Sequence, residues 1–104
     1  MAYRVDLTVR AARNLRRIYR TINAKDSARA RDWFNGLEKA VFSLDEDPAR
    51  APVTPENDSL RHLLYGRKPN VHRMIYAIDE RDRVVTVVHI RHGARKAFTP
   101  PGGA

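Results

Sequence analysis

The sequence predicts an α+β fold in the order β-α-α-β-β-β, with a helical hairpin packed on one face of a mostly antiparallel four-stranded sheet. Three observations carry this. Residues 9–22 and 27–44 repeat apolar side chains every three or four positions, the helical period. Residues 60–65, 71–78 and 84–91 are short, rich in β-branched and aromatic residues, and separated by turn-forming stretches. The helices precede a run of consecutive strands, which segregates them to one side of the sheet. The other face is then expected to be open to a partner.

Each element has its own signature. Tyr3-Arg4-Val5-Asp6-Leu7-Thr8 alternates apolar and polar, the strand period. In the first helix Ala11, Leu15, Ile18 and Ile22 form a stripe, with Ala12 and Tyr19 beside it. Arg10, Arg13, Arg16, Arg17 and Arg20 fall on the opposite arc. Residues 21–25 read as a turn. Asp26 or Ser27 can cap a second helix, whose stripe is Ala30, Trp33, Phe34, Leu37, Val41 and Leu44. Its exit, Asp45-Glu46-Asp47, puts acids where the helix dipole disfavours them, and Pro48 ends it. The short link between the helices makes them an antiparallel hairpin.

Residues 48–59 hold Pro48, Pro52 and Pro55 and no periodicity, so a surface loop is expected. Gly66-Arg67-Lys68-Pro69-Asn70 and Asp79-Glu80-Arg81-Asp82-Arg83 are the turns between the last three strands. Phe98 is expected to fold back on the core. The expected organisation is one domain, residues 1–98, with a frayed tail over 99–104.

Twenty Lys and Arg oppose twelve Asp and Glu, for a net charge of +8. Sixteen of the twenty are Arg, the better residue for forks to phosphate or carboxylate. A polyanionic partner is expected, whether nucleic acid, ribosome or acidic protein. The bland alternative is a basic chain from an Arg-rich proteome. With no cysteine there is neither a disulfide nor a thiolate metal site, which fits a cytoplasmic protein. No apolar run is long enough to span a membrane, and no signal peptide is read at the N-terminus. No cofactor and no metal are expected: His89-x-x-His92 alone is a poor zinc signature.

The densest chemistry follows the last strand, in His89-Ile90-Arg91-His92-Gly93-Ala94-Arg95. A rigid strand delivering imidazole and guanidinium groups to one spot reads as a phosphodiester site. Gly93 is expected to adopt a conformation closed to other residues. On an ideal strand His89 and His92 point to opposite faces unless a bulge intervenes; His92 is the preferred site residue and His89 a hydrogen-bonded structural one. For Arg73 the alternative to a site is an interior ion pair with Asp6 or Glu38. Trp33 and Phe34 belong to the core stripe. Tyr65, beside Gly66, is a stacking surface for a base, and Arg67, Lys68 and Arg91 are further nucleic-acid contacts. The arginine arc of the first helix is a solvated face or a dock for ribosomal RNA phosphates.

Together, Trp33–Leu44 followed by Pro48, Leu60-Arg61-His62-Leu63 with Gly66, Arg73-Met74-Ile75-Tyr76-Ala77-Ile78-Asp79 and the terminal His-Gly-Ala-Arg resemble the RelE/ParE superfamily of bacterial type II toxin–antitoxin toxins. The resemblance runs from Tyr3 to Arg95. It implies a basic toxin silenced by an antitoxin whose acidic or amphipathic C-terminal segment wraps it, covering an apolar sheet face and its cationic rim. It also implies two activities. RelE-like members cut mRNA on the ribosome without metal; ParE-like members block DNA gyrase and are not enzymes. By position, Arg61, Arg73 and Arg95 match the basic residues that carry RelE-like cleavage, and His92 matches a histidine some relatives carry. Cleavage needs a base for the 2′-hydroxyl, cations for the phosphorane and an acid for the leaving oxygen. Ribosome-dependent mRNA cleavage is the first expectation. Gyrase inhibition is the alternative, favoured because all four tyrosines precede the last strand, whereas several RNA-cleaving relatives have one near the C-terminus. A non-toxic RNA-binding module is the third reading.

Overall fold

A computed structural model of the chain describes residues 2–93. Its elements are β1 (Arg4–Leu7), α1 (Val9–Thr21), α2 (Ala28–Phe42), β2 (Arg61–Tyr65), β3 (His72–Asp79) and β4 (Val84–His92). The sheet has four strands in the order β1-β4-β3-β2. β1 runs parallel to β4, and the other two pairs are antiparallel. Two helices thus pack on one face of a mixed, mostly antiparallel sheet, as the sequence predicts. Arg95, Phe98 and the 99–104 tail lie outside the described residues.

Thr8, predicted as the end of the first strand, is instead the joint between strand and helix. Its N–H bonds the Val87 carbonyl. Its hydroxyl accepts from the Ala11 N–H, capping α1, and donates to the Val88 carbonyl. Ser27 caps α2 in the same way, through Ala30 N–H. α2 gives way to a 3₁₀ turn at Ser43–Asp45, shorter than the sequence pattern implies. The acids that crowd its exit are offset by Arg50. One of its terminal nitrogens donates to the carbonyls of Ser43, Glu46 and Asp47, placing a cation at the helix C-terminus.

Strand parity decides the core. Met74 and Tyr76 of β3 and Val85, Val87 and Ile90 of β4 face the helices. They meet Ala11 and Leu15 of α1 and Phe34, Leu37 and Val41 of α2. Each large apolar side chain buried there contributes about 1.5–3 kcal/mol. Gly36 sits inside α2, where glycine costs about 1 kcal/mol relative to alanine. A Cβ there would lie 2.2 Å from the Tyr65 hydroxyl oxygen, which donates to the Trp33 carbonyl. Gly66 has φ of 99°, as the tight turn out of β2 requires.

Two expectations need correction. The stretch after α2 is not a loose surface loop. It opens with a 3₁₀ turn at Pro48–Arg50, buries Ala51 and Thr54, and pairs Val53 with Arg61. The Tyr76 hydroxyl reaches through the core to the Pro48 carbonyl, and Arg61 binds the carbonyls of Ala49 and Ala51. Buried donors on the sheet recruit the segment's carbonyls, a signal no periodicity shows. The second sheet face, expected to be open to a partner, is covered only in part: Leu64, opposite Arg73, stays 57% exposed. Ile75 and Arg73 point to it, yet Ile75 is fully buried and Arg73 is 7% exposed.

Thr8→Ala should lower the unfolding free energy by about 1–2 kcal/mol, since the helix loses its cap. Thr8→Ser should restore most of it. Urea unfolding of the two variants measures the difference.

Candidate functional site

The β3–β4 ladder positions His72, Arg73, His89, Arg91 and His92. Its register runs His72↔His92, Arg73↔Arg91, Met74↔Ile90 and Ile75↔His89, then shifts so that Tyr76 pairs with Val87. Val88 is the extra residue, a bulge. Because the bulge precedes His89, it does not bring His89 and His92 together. His92 stays on the helix face, and His89 and Arg91 on the other.

On the face away from the helices lies a polar network centred on Arg73. Its Nε donates to His62 Nδ1 at 3.0 Å, and its Nη2 pairs with the Glu56 carboxylate at 3.3 Å. The Arg73 and Glu56 side chains are 9% and 16% exposed. The interior ion pair that is the alternative reading for Arg73 is made with Glu56 rather than Asp6 or Glu38, from the segment the sequence leaves as a loop. Across the ladder stands Arg91, and His89 lies in the neighbouring row. His62 accepts from a guanidinium, so its Nδ1 carries no proton. Burial and the Arg73 charge both push its pKa down, against the pull of Glu56. Burial, then Arg10, Arg91 and Arg73, push His89 down to about 4.

The helix face carries an aromatic ladder. Ring centroids of Tyr65 and Trp33, Trp33 and His72, and His72 and His92 stand 5.2, 5.2 and 5.1 Å apart, all edge to face. The Tyr65 ring is engaged in this packing. His72 is 9% exposed, and burial and His92 lower its pKa. A groove of about 570 Å³ runs beside it where α1 passes the edge of β4, lined by Arg17, Ile18 and Thr21 of α1 and by Asn70, His89, Arg91 and His92, so side chains from both faces of β4 reach it.

The sequence-derived set is therefore divided. Arg73 and Arg91 share one face. His92 and Tyr65 lie on the other. Arg61 is occupied with the carbonyls of Ala49 and Ala51. Arg67 and Lys68 are exposed in the β2–β3 turn. Arg95 is outside the described residues. Gly93 matters for size rather than for an unusual φ: its N–H donates to the Val71 carbonyl, and a Cβ would lie 3.1 Å from Arg73 Cγ. Sequence reasoning missed His62 and Glu56. His62 was within reach from strand parity, since it shares a face with Arg73 across one ladder step. Glu56 gave no signal. Among the described residues no three His, Cys, Asp or Glu are grouped to hold a metal ion.

A helical hairpin on this four-stranded sheet, with basic residues on the last two strands, defines a RelE/ParE-type toxin architecture. The chain belongs to the family described as the ParE toxin of the type II toxin–antitoxin system parDE, whose sequence profile matches residues 5–97. Solved structures share the fold at low identity. A chromosomal ParDE system of P. aeruginosa gives a TM-score of 0.68 at 15% identity, covering 88% of this chain and 96% of that one. A mutant of the E. coli toxin RelE in the free state gives 0.63 at 19%, covering 88% and 84%. The RelBE2 toxin–antitoxin complex of Mycobacterium tuberculosis gives 0.60 at 20%, covering 91% and 95%. No curated protein sequence matches the chain.

The histidine shifts fix a pH dependence. A histidine whose folded pKa lies below its unfolded value of 6.5 binds fewer protons folded than unfolded between the two. Its contribution to stability is complete above pH 6.5 and is lost as pH falls toward about 4. His89→Gln should therefore narrow the gap between stabilities at pH 6.5 and pH 4.5 relative to the parent, with His62 and His72 keeping the rest. Chemical unfolding of both proteins at the two pH values checks it.

Proposed function

We propose that this chain is a ParE-like toxin that acts by binding a protein target, DNA gyrase, rather than by cutting RNA. The observation that carries this is the engagement of Arg73. A cation that stabilises a phosphorane must present its donors to the phosphoryl oxygens at about 2.7–3.1 Å. Arg73 has donors committed to His62 and to the Glu56 carboxylate, and is 7% exposed. His92, the proton carrier the sequence offers, lies beyond the sheet from it, and Arg61 is bound to main-chain carbonyls. This reverses the order in which the sequence ranks the two activities.

The proposed regulator is a cognate antitoxin. The family's assignment to toxin–antitoxin systems supports it. The groove between α1 and α2 offers it a seat of about 470 Å³, with Leu15, Tyr19 and Phe34 in its lining and Arg16 and Arg20 beside them. An acidic amphipathic segment matches both features. A cytoplasmic site of action follows from the proposed target.

RNA cleavage remains the second reading because of His62 and His89. Both share the Arg73 face and stay neutral at pH 7 through their lowered pKa values; because His62 Nδ1 already accepts from Arg73, the base in this reading is His89.

Purified toxin should inhibit gyrase supercoiling of relaxed plasmid and leave ribosome-bound mRNA intact. His92→Gln should inhibit as well as the parent does. Site-specific mRNA cleavage with supercoiling untouched would overturn the proposal. In that case Arg73→Ala should slow cleavage by about a hundredfold or more.

A further inference from the structure

α1 carries a charge pattern that the fold does not need. Its thirteen residues include Arg10, Arg13, Arg16, Arg17 and Arg20 and no acid. At 100° per residue the five guanidinium groups occupy an arc of about 120°, centred on Arg13 and opposite the buried Ala11 and Leu15. All five arginines are exposed. Among the described residues, the ion pairs are Arg4–Asp6 and Arg73–Glu56, and none involves this arc.

The pattern works against the helix. Arg10 and Arg13, Arg13 and Arg17, Arg16 and Arg20, and Arg17 and Arg20 are like charges at three or four residues, which destabilise a helix. Arg10 also sits in the first turn, at the positive end of the dipole. Mixed Glu and Lys would keep the helix soluble without either cost. The charge is therefore explained by a partner rather than by folding.

That partner is selected by what the arc lacks. Protein partners are held by apolar anchors that fill pockets. The apolar groove beside α1 lies toward α2; Arg16 and Arg20, at the edge of the arc, border it and are shared with the antitoxin seat. The centre of the arc, Arg13, lines none of the grooves described above, and it offers charge alone. A nucleic-acid backbone needs no more than that, because its affinity comes from phosphate neutralisation. From Arg10 to Arg20 the row spans about 15 Å along the helix axis. Consecutive phosphates on one strand advance about 3.4 Å along the duplex axis, so the row covers about four such steps and faces about five phosphates.

We infer that the arginine face of α1 is a docking surface for the phosphate backbone of duplex DNA. The choice of DNA rests on the gyrase reading, since duplex DNA is that enzyme's substrate. The contact is sequence-independent, and it leaves the network around Arg73 undisturbed.

The test uses the full-length toxin and a 30-base-pair duplex, with binding followed by fluorescence anisotropy across a salt series. Five phosphate contacts predict a slope of log K against log salt of about −4.5, at about −0.9 per contact. Arg13→Gln with Arg17→Gln should reduce the slope to about −2.7 by the same rule. Glutamine is a good helix former, and the changes relieve like-charge repulsion, so the variant stays folded. Arg4→Gln with Arg81→Gln removes the same charge away from α1 and should leave the slope unchanged. Equal loss in both double variants would reduce the effect to net charge and overturn the inference. So would binding of a poly-glutamate peptide through Arg13 and Arg17 with no binding of DNA. The readout contains no gyrase, so it is independent of whether supercoiling is inhibited.

Discussion

The pairing of β3 with β4, and the single bulge in it, organises the molecule. Parity on β3 sends Met74 and Tyr76 into the helices and Arg73 and Ile75 away from them. The register shift at Val88 then keeps Ile90 in the core, where an unbroken alternation from Val87 would have turned it out. β1 stops beside Val87, and Thr8 takes up the Val88 carbonyl while capping α1. Asn14 of α1 accepts from the Ile90 N–H, so a helix side chain completes an edge that β1 no longer covers. The bulge, the start of α1 and the two chemically different faces of the sheet are one arrangement.

That arrangement separates polar groups that are close in sequence. His89 and His92 are three residues apart and lie on opposite faces. Arg73 and Glu56 are distant in sequence and in contact. A buried guanidinium requires a counter-charge and hydrogen-bond acceptors, and Glu56 and His62 supply them. The same requirement acts on the segment after α2. Arg61 and Tyr76 hold it by its carbonyls, and this brings Glu56 to Arg73. The basic residues of β2 and β3 are thereby drawn into the frame, while those of α1 and of the β2–β3 turn face outward.

The elements were legible because helix and strand periods are local. The apolar stripes of α1 and α2, the three closing strands and the placement of the helices on one face follow from spacing alone. The parallel pairing of β1 with β4 and the position of the bulge depend on how far β1 extends, which a four-residue strand does not announce. The site was legible only in its ingredients. Arg73 could be suspected, and an ion pair weighed for it. Its partner lay in a proline-rich stretch without periodicity, where only the three-dimensional path of the chain assigns neighbours. Gly93 does not take the left-handed backbone expected of it; a side chain there would instead press on Arg73 Cγ.

Arg73 is held by Glu56 as part of the fold. A double-mutant cycle with Arg73→Met and Glu56→Gln, measured by urea unfolding at neutral pH, tests it most directly. The coupling free energy should be about 1 kcal/mol or more, in the range for residues that share a buried network. Additive single effects, with coupling near zero, would contradict it and leave Arg73 available to an external anion.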